Sequence, residues 1–351
     1  MSEVDWAKGT LMGMAVGDAI GLPREMLSKS RAQALFGVPP MEHALLFGKG
    51  MISDDTEHAC MVAQALIATE NVDGFASSLA WKLRFWLLGL PGGVGLATLR
   101  SIMKLWLGFS PSKSGVYSAG NGPAMRAPVL GAYFAFDEGR MFSYVRASTR
   151  LTHTDEKAYE GALSIAHLAA LARREGELDL DTYFQDLQEI VKDADLAKAF
   201  QLVETALREE WTLEKLTELQ GWQKGVSGYI VHTVPACVYV CLRWGDDFRE
   251  AIEQTVMLGG DTDTTAAIVG GVLGVLRGGA DIPTSWTEGL MEFPRNTSWI
   301  ERLAARLTER WDSQKKGDAI GLFWPMLPLR NLFFLMIVLS HGVRRLFPPY
   351  S

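Results

Sequence analysis

Leu258-Gly259-Gly260-Asp261-Thr262-Asp263-Thr264-Thr265 sets two carboxylates and three hydroxyls in five residues behind a glycine pair. It runs directly into the small-residue apolar segment Ala266 to Leu276, which reads as a buried helix. An ionised carboxylate withdrawn from water must be paired or coordinated. Capping of free backbone N–H groups at a helix start accounts for one Asp and one Thr. It leaves the rest of the motif unexplained, so the stretch reads as a site for a hard cation.

A second acidic stretch strengthens that reading. Met51-Ile52-Ser53-Asp54-Asp55-Thr56-Glu57-His58 again puts hydroxyls and adjacent carboxylates at the start of an apolar-periodic run. Ala59, Val62, Ala63, Leu66 and Ile67 of that run share one helical stripe. If the two stretches converge, Asp54, Asp55, Asp261 and Asp263 repel one another and hold each other's pKa up unless cations sit between them. Four carboxylates balance two divalent cations, and oxygen ligands favour Mg²⁺, Mn²⁺ or Ca²⁺ over Zn²⁺. The bland alternative is two independent capped helices.

Further motifs carry a resemblance. Gly13-Met-Ala-Val-Gly17-Asp18-Ala-Ile-Gly21-Leu-Pro-Arg-Glu25 comes first, then Ser53-Asp54-Asp55-Thr56. Gly120-Asn121-Gly122-Pro-Ala-Met125-Arg126, Leu151-Thr152-His153-Thr154 and Gly259-Gly260-Asp261-Thr262-Asp263-Thr264 follow. Five motifs in this order, between about Gly9 and Arg310, resemble the ADP-ribosylglycohydrolases, metal-dependent enzymes that remove ADP-ribose from modified proteins. The resemblance implies an all-α fold, a single-domain orthogonal helical bundle with a two-metal cleft that usually takes Mg²⁺ or Mn²⁺. It places Ser53, Asp54, Asp55, Asp261, Asp263 and Thr264 on the metal-ligand positions. It also assigns Ser118, Gly120, Asn121, Gly122 and His153 to the ADP-ribose-binding loop and the Thr-His motif.

Composition is consistent with this. The chain has 351 residues and a net charge of −7, and no basic stripe offers phosphate neutralisation, so nucleic acid is not an expected partner. Cys237 and Cys241 lie one helical turn apart and read as buried thiols in a reducing compartment. Asp5, Lys8 and Asp18 interrupt any secretory signal, so the cytoplasm is the expected location. Helical patterns appear near residues 6–19, 55–69, 74–88, 121–134, 155–174, 182–193, 198–208, 212–219, 230–243, 247–257, 263–277 and 298–311. The expected organisation is a catalytic unit over 1–312 and an apolar tail over 313–351.

Taken as chemistry alone, the Gly120-Asn121-Gly122 loop suits an anion, because glycine permits positive φ and lets N–H groups come close. The helix starting near Pro123 presents its positive end. Arg126 reads equally as a phosphate contact or as the partner of a structural carboxylate. His153, at a loop–helix junction, reads by itself as a structural hydrogen-bonding residue; the resemblance implies instead that it holds the ligand, in binding rather than proton transfer. His58, His167 and His232 read as core or supporting residues. Glu25, on a turn after Pro23, reads by itself as a solvated surface residue or one overhanging a cleft. The resemblance implies a place near the metals and makes it a catalytic candidate with Asp54 and Asp55, and Asp18 reads as structural. In the reaction the resemblance implies, water attacks the ribose anomeric carbon through an oxocarbenium-like state and one of the three carboxylates accepts its proton. Arginine-linked ADP-ribose is the leading substrate, an ADP-ribosylated protein the partner and free ADP-ribose the product. Two alternatives stand beside this: an ADP-ribose-binding or immunity protein that blocks a toxin physically, and a two-metal phosphoester hydrolase.

The tail is strongly apolar. Arg330 and two prolines split it into halves shorter than the roughly 18–20 residues of a spanning helix. Residues 319–347, followed by or including Arg344 and Arg345, are therefore read as a membrane-surface contact, an oligomer contact or a segment docked on the body.

Overall fold

The computed structural model describes residues 5–348; residues 1–4 and 349–351, the outer ends of the two expected segments, lie outside it. In chain order the helices begin with α1 (Trp6–Gly21), α2 (Lys29–Phe36), α3 (Asp54–Ala68), α4 (Val72–Leu88), α5 (Leu96–Trp106) and α6 (Ala127–Tyr133). There follow α7 (Glu138–Arg150), α8 (Glu156–Glu175), α9 (Leu180–Ile190), α10 (Ala194–Arg208), α11 (Leu213–Leu219) and α12 (Ile230–Trp244). The last are α13 (Phe248–Leu258), α14 (Thr262–Arg277), α15 (Thr284–Gly289), α16 (Thr297–Ser313) and α17 (Met326–Arg344). Among the described residues there is no sheet, only isolated backbone bridges, and the fold is all-α as expected. Many helices open on a side chain that accepts from a first-turn amide: Asp179 from Thr182, Asp247 from Glu250, Asn296 from Trp299.

The frame is the antiparallel pair α1 and α14. Gly9, Gly13, Gly17 and Gly21 recur every four residues along one face of α1. They lie against Gly274, Gly270, Ala266 and Thr262, which recur every four residues along α14. A Cβ at any of the four α1 glycines would stand 1.9–2.2 Å from the carbonyl oxygen opposite, so only hydrogen fits and the helix backbones touch. Side chains on the remaining faces are buried too, which makes this pair the core of the molecule. On one side α3 and α16 pack against α1; on the other α8, buried from Ala158 to Ala172, packs against α6 and α14. Glu57 on α3 pairs with Arg295 and accepts from Trp86 Nε1 on α4, so this buried carboxylate is fully engaged.

The structure departs from the sequence-based pattern in places. α2, α5, α7 and α15 fall where no helix was expected, and the 121–134 segment begins as a turn and a 3₁₀ helix, Ala124–Arg126, before α6. The tail departs most. One helix, α17, runs through both supposed interruptions: Pro328 lies in its first turn, where no amide is needed, and Arg330 turns inward. Buried Arg330 makes a two-pronged pair with Glu292 (Nη2–Oε2 2.7 Å, Nε–Oε1 2.8 Å) and also donates to the Ile52 carbonyl. Asn331 Nδ2 donates to the Gly89 carbonyl at 2.7 Å. Leu327, Phe334 and Ile337 complete the buried face, so α17 is docked on the body.

Candidate metal centre and ligand cleft

The expected site residues converge because α1 and α14 lie side by side. Asp18, on the last turn of α1, is fully buried and accepts from Ser53 N (2.8 Å), Thr56 N (3.2 Å) and Thr56 Oγ1 (2.6 Å). It thereby fixes the start of α3 against α1, a structural task. Ser53 caps α3, accepting from Asp55 N and donating its hydroxyl to Asp55 Oδ2 at 3.1 Å. Thr264 Oγ1, one turn into α14, donates to the same Asp55 oxygen at 3.1 Å. The two acidic stretches are thus joined through Asp55, whose other oxygen is buried without a protein partner.

Asp261 occupies the N-cap position of α14, yet its side chain makes no capping bond. Its Oδ2 instead accepts from Asn121 Nδ2 at 2.7 Å. Gly259 and Gly260 adopt φ of 73° and 85°, a conformation that favours glycine. The turn they form lets the Gly260 carbonyl accept from Met26 N at 2.8 Å. That bond brings Glu25 to the metal stretch: one oxygen each from Glu25, Asp261 and Asp263 lies within 4.8 Å of the others. Sequence reasoning gave Glu25 as a catalytic candidate; its position also puts it within ligand reach, through a backbone contact that no side-chain pattern announces.

Electrostatics reflect the crowding. Burial and the neighbouring Asp261 carboxylate push Glu25 up to about 7. Asp18 rises to about 6 through burial. Asp54, Asp55 and Asp263 are held well above the carboxylate range, by burial first and next by a neighbouring carboxylate: Asp18 for Asp54, Asp54 for Asp55 and Glu25 for Asp263. Such a group is unfavourable as bare anions and suits a hard divalent cation, the all-oxygen donor set and the unpartnered Asp55 Oδ1 included.

Glu25, Ser53, Asp54, Asp261, Asp263 and Thr264 line a cleft of about 440 Å³. Ser118, Gly120, Asn121, Gly122 and His153 line the same cleft, and the two groups meet where Asn121 bonds Asp261. Asp54 faces Gly93 there and is outside the carboxylate trio. One wall was not expected: Phe334, Leu335 and Val338 of α17.

The ADP-ribosylglycohydrolase family model matches residues 2–317. The chain belongs to the ADP-ribosylglycohydrolase family. Members of this family are glycohydrolases that act on ADP-ribose linkages, and they depend on metal. The chain is 27% identical over 294 residues to the ADP-ribosyl-[dinitrogen reductase] glycohydrolase of Rhodospirillum rubrum, covering 82% of this chain and 90% of that one. It is 24% identical over 333 residues to the ADP-ribosylarginine hydrolase Tri1 of Pseudomonas putida, covering 90% and 81%. A solved structure titled an ADP-ribosylglycohydrolase-related protein complex superposes with a TM-score of 0.65 at 25% identity, over 87% of this chain and 97% of that chain.

In this glycohydrolase the Gly120–Gly122 loop works differently from the sequence-based expectation. Neither glycine has positive φ. Each is needed for close approach, since a Cβ on either would lie 3.1 Å from the His153 ring. The helix start after the loop offers no open set of amides: Ala124 and Met125 donate to the Asn121 carbonyl, and Arg126 to that of Pro123. Arg126 contacts neither cleft nor carboxylate. It is fully buried and donates to Ser148 O (3.0 Å) and Thr152 Oγ1 (2.7 Å). Thr152 Oγ1 lies 2.8 Å from His153 Nδ1. Because Arg126 only donates, the Thr152 hydroxyl proton is free to point at Nδ1, which leaves the Nε2 proton facing the glycine loop. Burial and the Arg126 charge push His153 down to about 3, so the ring is neutral. His232, expected in the core or in a supporting place, is half-buried and bonds Ser227 Oγ at 2.9 Å.

Proposed function

We propose that this enzyme removes ADP-ribose from modified protein side chains, with arginine-linked ADP-ribose as substrate, releasing free ADP-ribose. The observation that carries the reading is one cleft lined by Glu25, Asp261 and Asp263 together with the Gly120–Gly122 loop and His153. The Tri1 relative, an ADP-ribosylarginine hydrolase, supports the arginine linkage. Residues 1–312 carry the candidate catalytic and metal-binding side chains, α17 completes the cleft, and the enzyme works in the cytoplasm, where the three buried cysteines stay as thiols.

Two divalent cations, Mg²⁺ or alternatively Mn²⁺, fit the donors Ser53, Asp54, Asp55, Asp261, Asp263 and Thr264, with Glu25 beside them. Bound cations supply charge compensation, orientation of ribose hydroxyls and polarisation of a water. The chain's own residues do the rest. Ser118, Gly120, Asn121, Gly122 and the neutral His153 hold the ADP-ribose, with His153 Nε2–H as a donor. Water forms a bond to ribose C1″ while the bond from C1″ to the guanidine nitrogen breaks, and that nitrogen takes up a proton. Asp55 does not line the cleft, so the water proton goes to Asp54 or Glu25, which do.

The test is release of free ADP-ribose from an arginine-modified protein, with and without Mg²⁺, by the native chain and an Asp261→Asn/Asp263→Asn variant. Metal-dependent release that the variant loses is the expected result. Equal release by both, or none by either, overturns the reading.

A further inference from the structure

Two stretches that flank the cleft carry no carboxylate. Residues 74–117 contain Lys82, Arg84, Arg100, Lys104 and Lys113 with no Asp or Glu, and residues 319–351 contain Arg330, Arg344 and Arg345 with none. All 41 acidic residues of a chain with net charge −7 lie elsewhere. The same stretches expose large apolar side chains, among them Trp81 and Phe85 on α4, Leu96 and Trp106 on α5, and Leu332 and Leu339 on α17.

These groups form one surface. Phe85 stacks on Trp81 with ring centroids 6.0 Å apart and meets Trp106 edge-on at 6.4 Å. A groove lined by Trp81 and Phe85 on one side and by Trp324 and Leu327 on the other joins α4 to the tail. Leu96 and Leu335 both line the cleft that carries the candidate metal centre.

We propose that this surface seats the protein on an anionic lipid bilayer, with α17 lying in the interfacial plane. Monomeric soluble proteins seldom expose contiguous apolar patches of this extent. Aromatic and aliphatic side chains interspersed with cations, and cleared of carboxylates, complement an anionic membrane surface. A second copy is a poor occupant, because a two-fold contact sets the cations of one face against those of the other with no carboxylate from either stretch between them. Crossing the bilayer would strip Arg330 from Glu292, a pair in which both side chains are buried, and Asn331 from Gly89. The helix therefore stays on the body and presents only its outer face, and the cleft opens at the edge of the lipid contact.

The test is independent of the reaction and needs only the full chain and vesicles. The chain is sedimented with phosphatidylcholine vesicles and with phosphatidylcholine–phosphatidylglycerol vesicles, at low and high salt. Leu332→Glu/Leu339→Glu and Arg100→Glu/Arg344→Glu variants are run beside it. Leu332 and Leu339 are 57% and 58% exposed, so unchanged thermal melting accompanies the substitutions. Binding to the anionic vesicles that salt weakens, and that the apolar-to-acidic pair lowers by about tenfold or more, is expected. The charge-reversal pair lowers it as well. Native chain left in the supernatant with both vesicle types overturns the proposal. So does equal binding to the neutral vesicles, and so does a solution dimer that the same substitutions dissociate.

Discussion

Gly13 and Gly270 meet backbone to backbone: a Cβ on Gly13 would lie 2.1 Å from the Gly270 carbonyl oxygen, and one on Gly270 2.2 Å from that of Gly13. Neither helix can yield, because the contact repeats at Gly9, Gly17 and Gly21. Gly13→Ala is therefore expected to lower stability by about 3 kcal/mol, at the upper end of overpacking penalties. Gly342 on α17 has open space around its missing Cβ, and Gly342→Ala is expected to be neutral or stabilising. Denaturant unfolding of the two variants checks the contrast.

Without cations, the carboxylate cluster gives stability a distinctive pH dependence. Glu25 is raised to about 7 and Asp18 to about 6, so the folded protein binds more protons than the unfolded chain from about pH 4 up to these values. Stability then falls as pH rises through that window. In chelator the Tm is expected to drop between pH 5 and about pH 8. Adding Mg²⁺ should flatten the slope by compensating the same carboxylates, and a melt that is flat without metal contradicts this.

Asn121 holds Asp261 in place by a direct hydrogen bond from its Nδ2. Asn121→Ala is expected to weaken divalent-cation binding by about tenfold, as loss of an orienting partner typically does. Titration calorimetry with Mn²⁺ measures it directly.

His153 is neutral throughout the working range, so its proposed part in binding adds no titration limb. His153→Ala should weaken ADP-ribose binding by about tenfold, the worth of one good hydrogen bond. The pH–rate profile should keep its shape. Thr152→Val, which removes the hydroxyl between Arg126 and His153, should have a smaller effect of the same kind.

Removing one member of the Arg330–Glu292 pair strands a buried charge. Arg330→Met is expected to cost about 3–5 kcal/mol at the tail contact and to open α17 to protease, whereas Arg330→Met/Glu292→Leu should recover much of that loss. Proteolysis rates across the double-mutant cycle supply the measure.

The sequence made the metal motifs legible because carboxylates and hydroxyls this dense have few other uses. α16, with one apolar stripe, was readable from its spacing, and α3, buried on nearly every face, from its acidic start and the apolar run behind it. α5 was hidden because its apolar residues face outward as well as inward, and α7 because its charged residues blur the stripe. The pairing of Gly9 with Gly274 and of Gly21 with Thr262 depends on a register between helices some 240 residues apart, which spacing within either helix does not reveal. Glu25 could not be placed beside Asp261 for a similar reason: the link is the Met26 amide on the Gly260 carbonyl. The Gly120–Gly122 loop invited an explanation from φ, and the tertiary reason, the His153 ring against it, lay in another segment.

The docking of α17 has a practical consequence for anyone trimming this protein. The family match stops at residue 317, a natural place to end a shortened gene. A chain cut there keeps every candidate metal ligand and loses Phe334, Leu335 and Val338 from the rim of the cleft. It also leaves Glu292 without its guanidinium and bares the apolar ground beneath Leu327 and Ile337. Such a fragment would report on a wider and wetter pocket than the natural one, and its substrate range would belong to the truncation rather than to the enzyme.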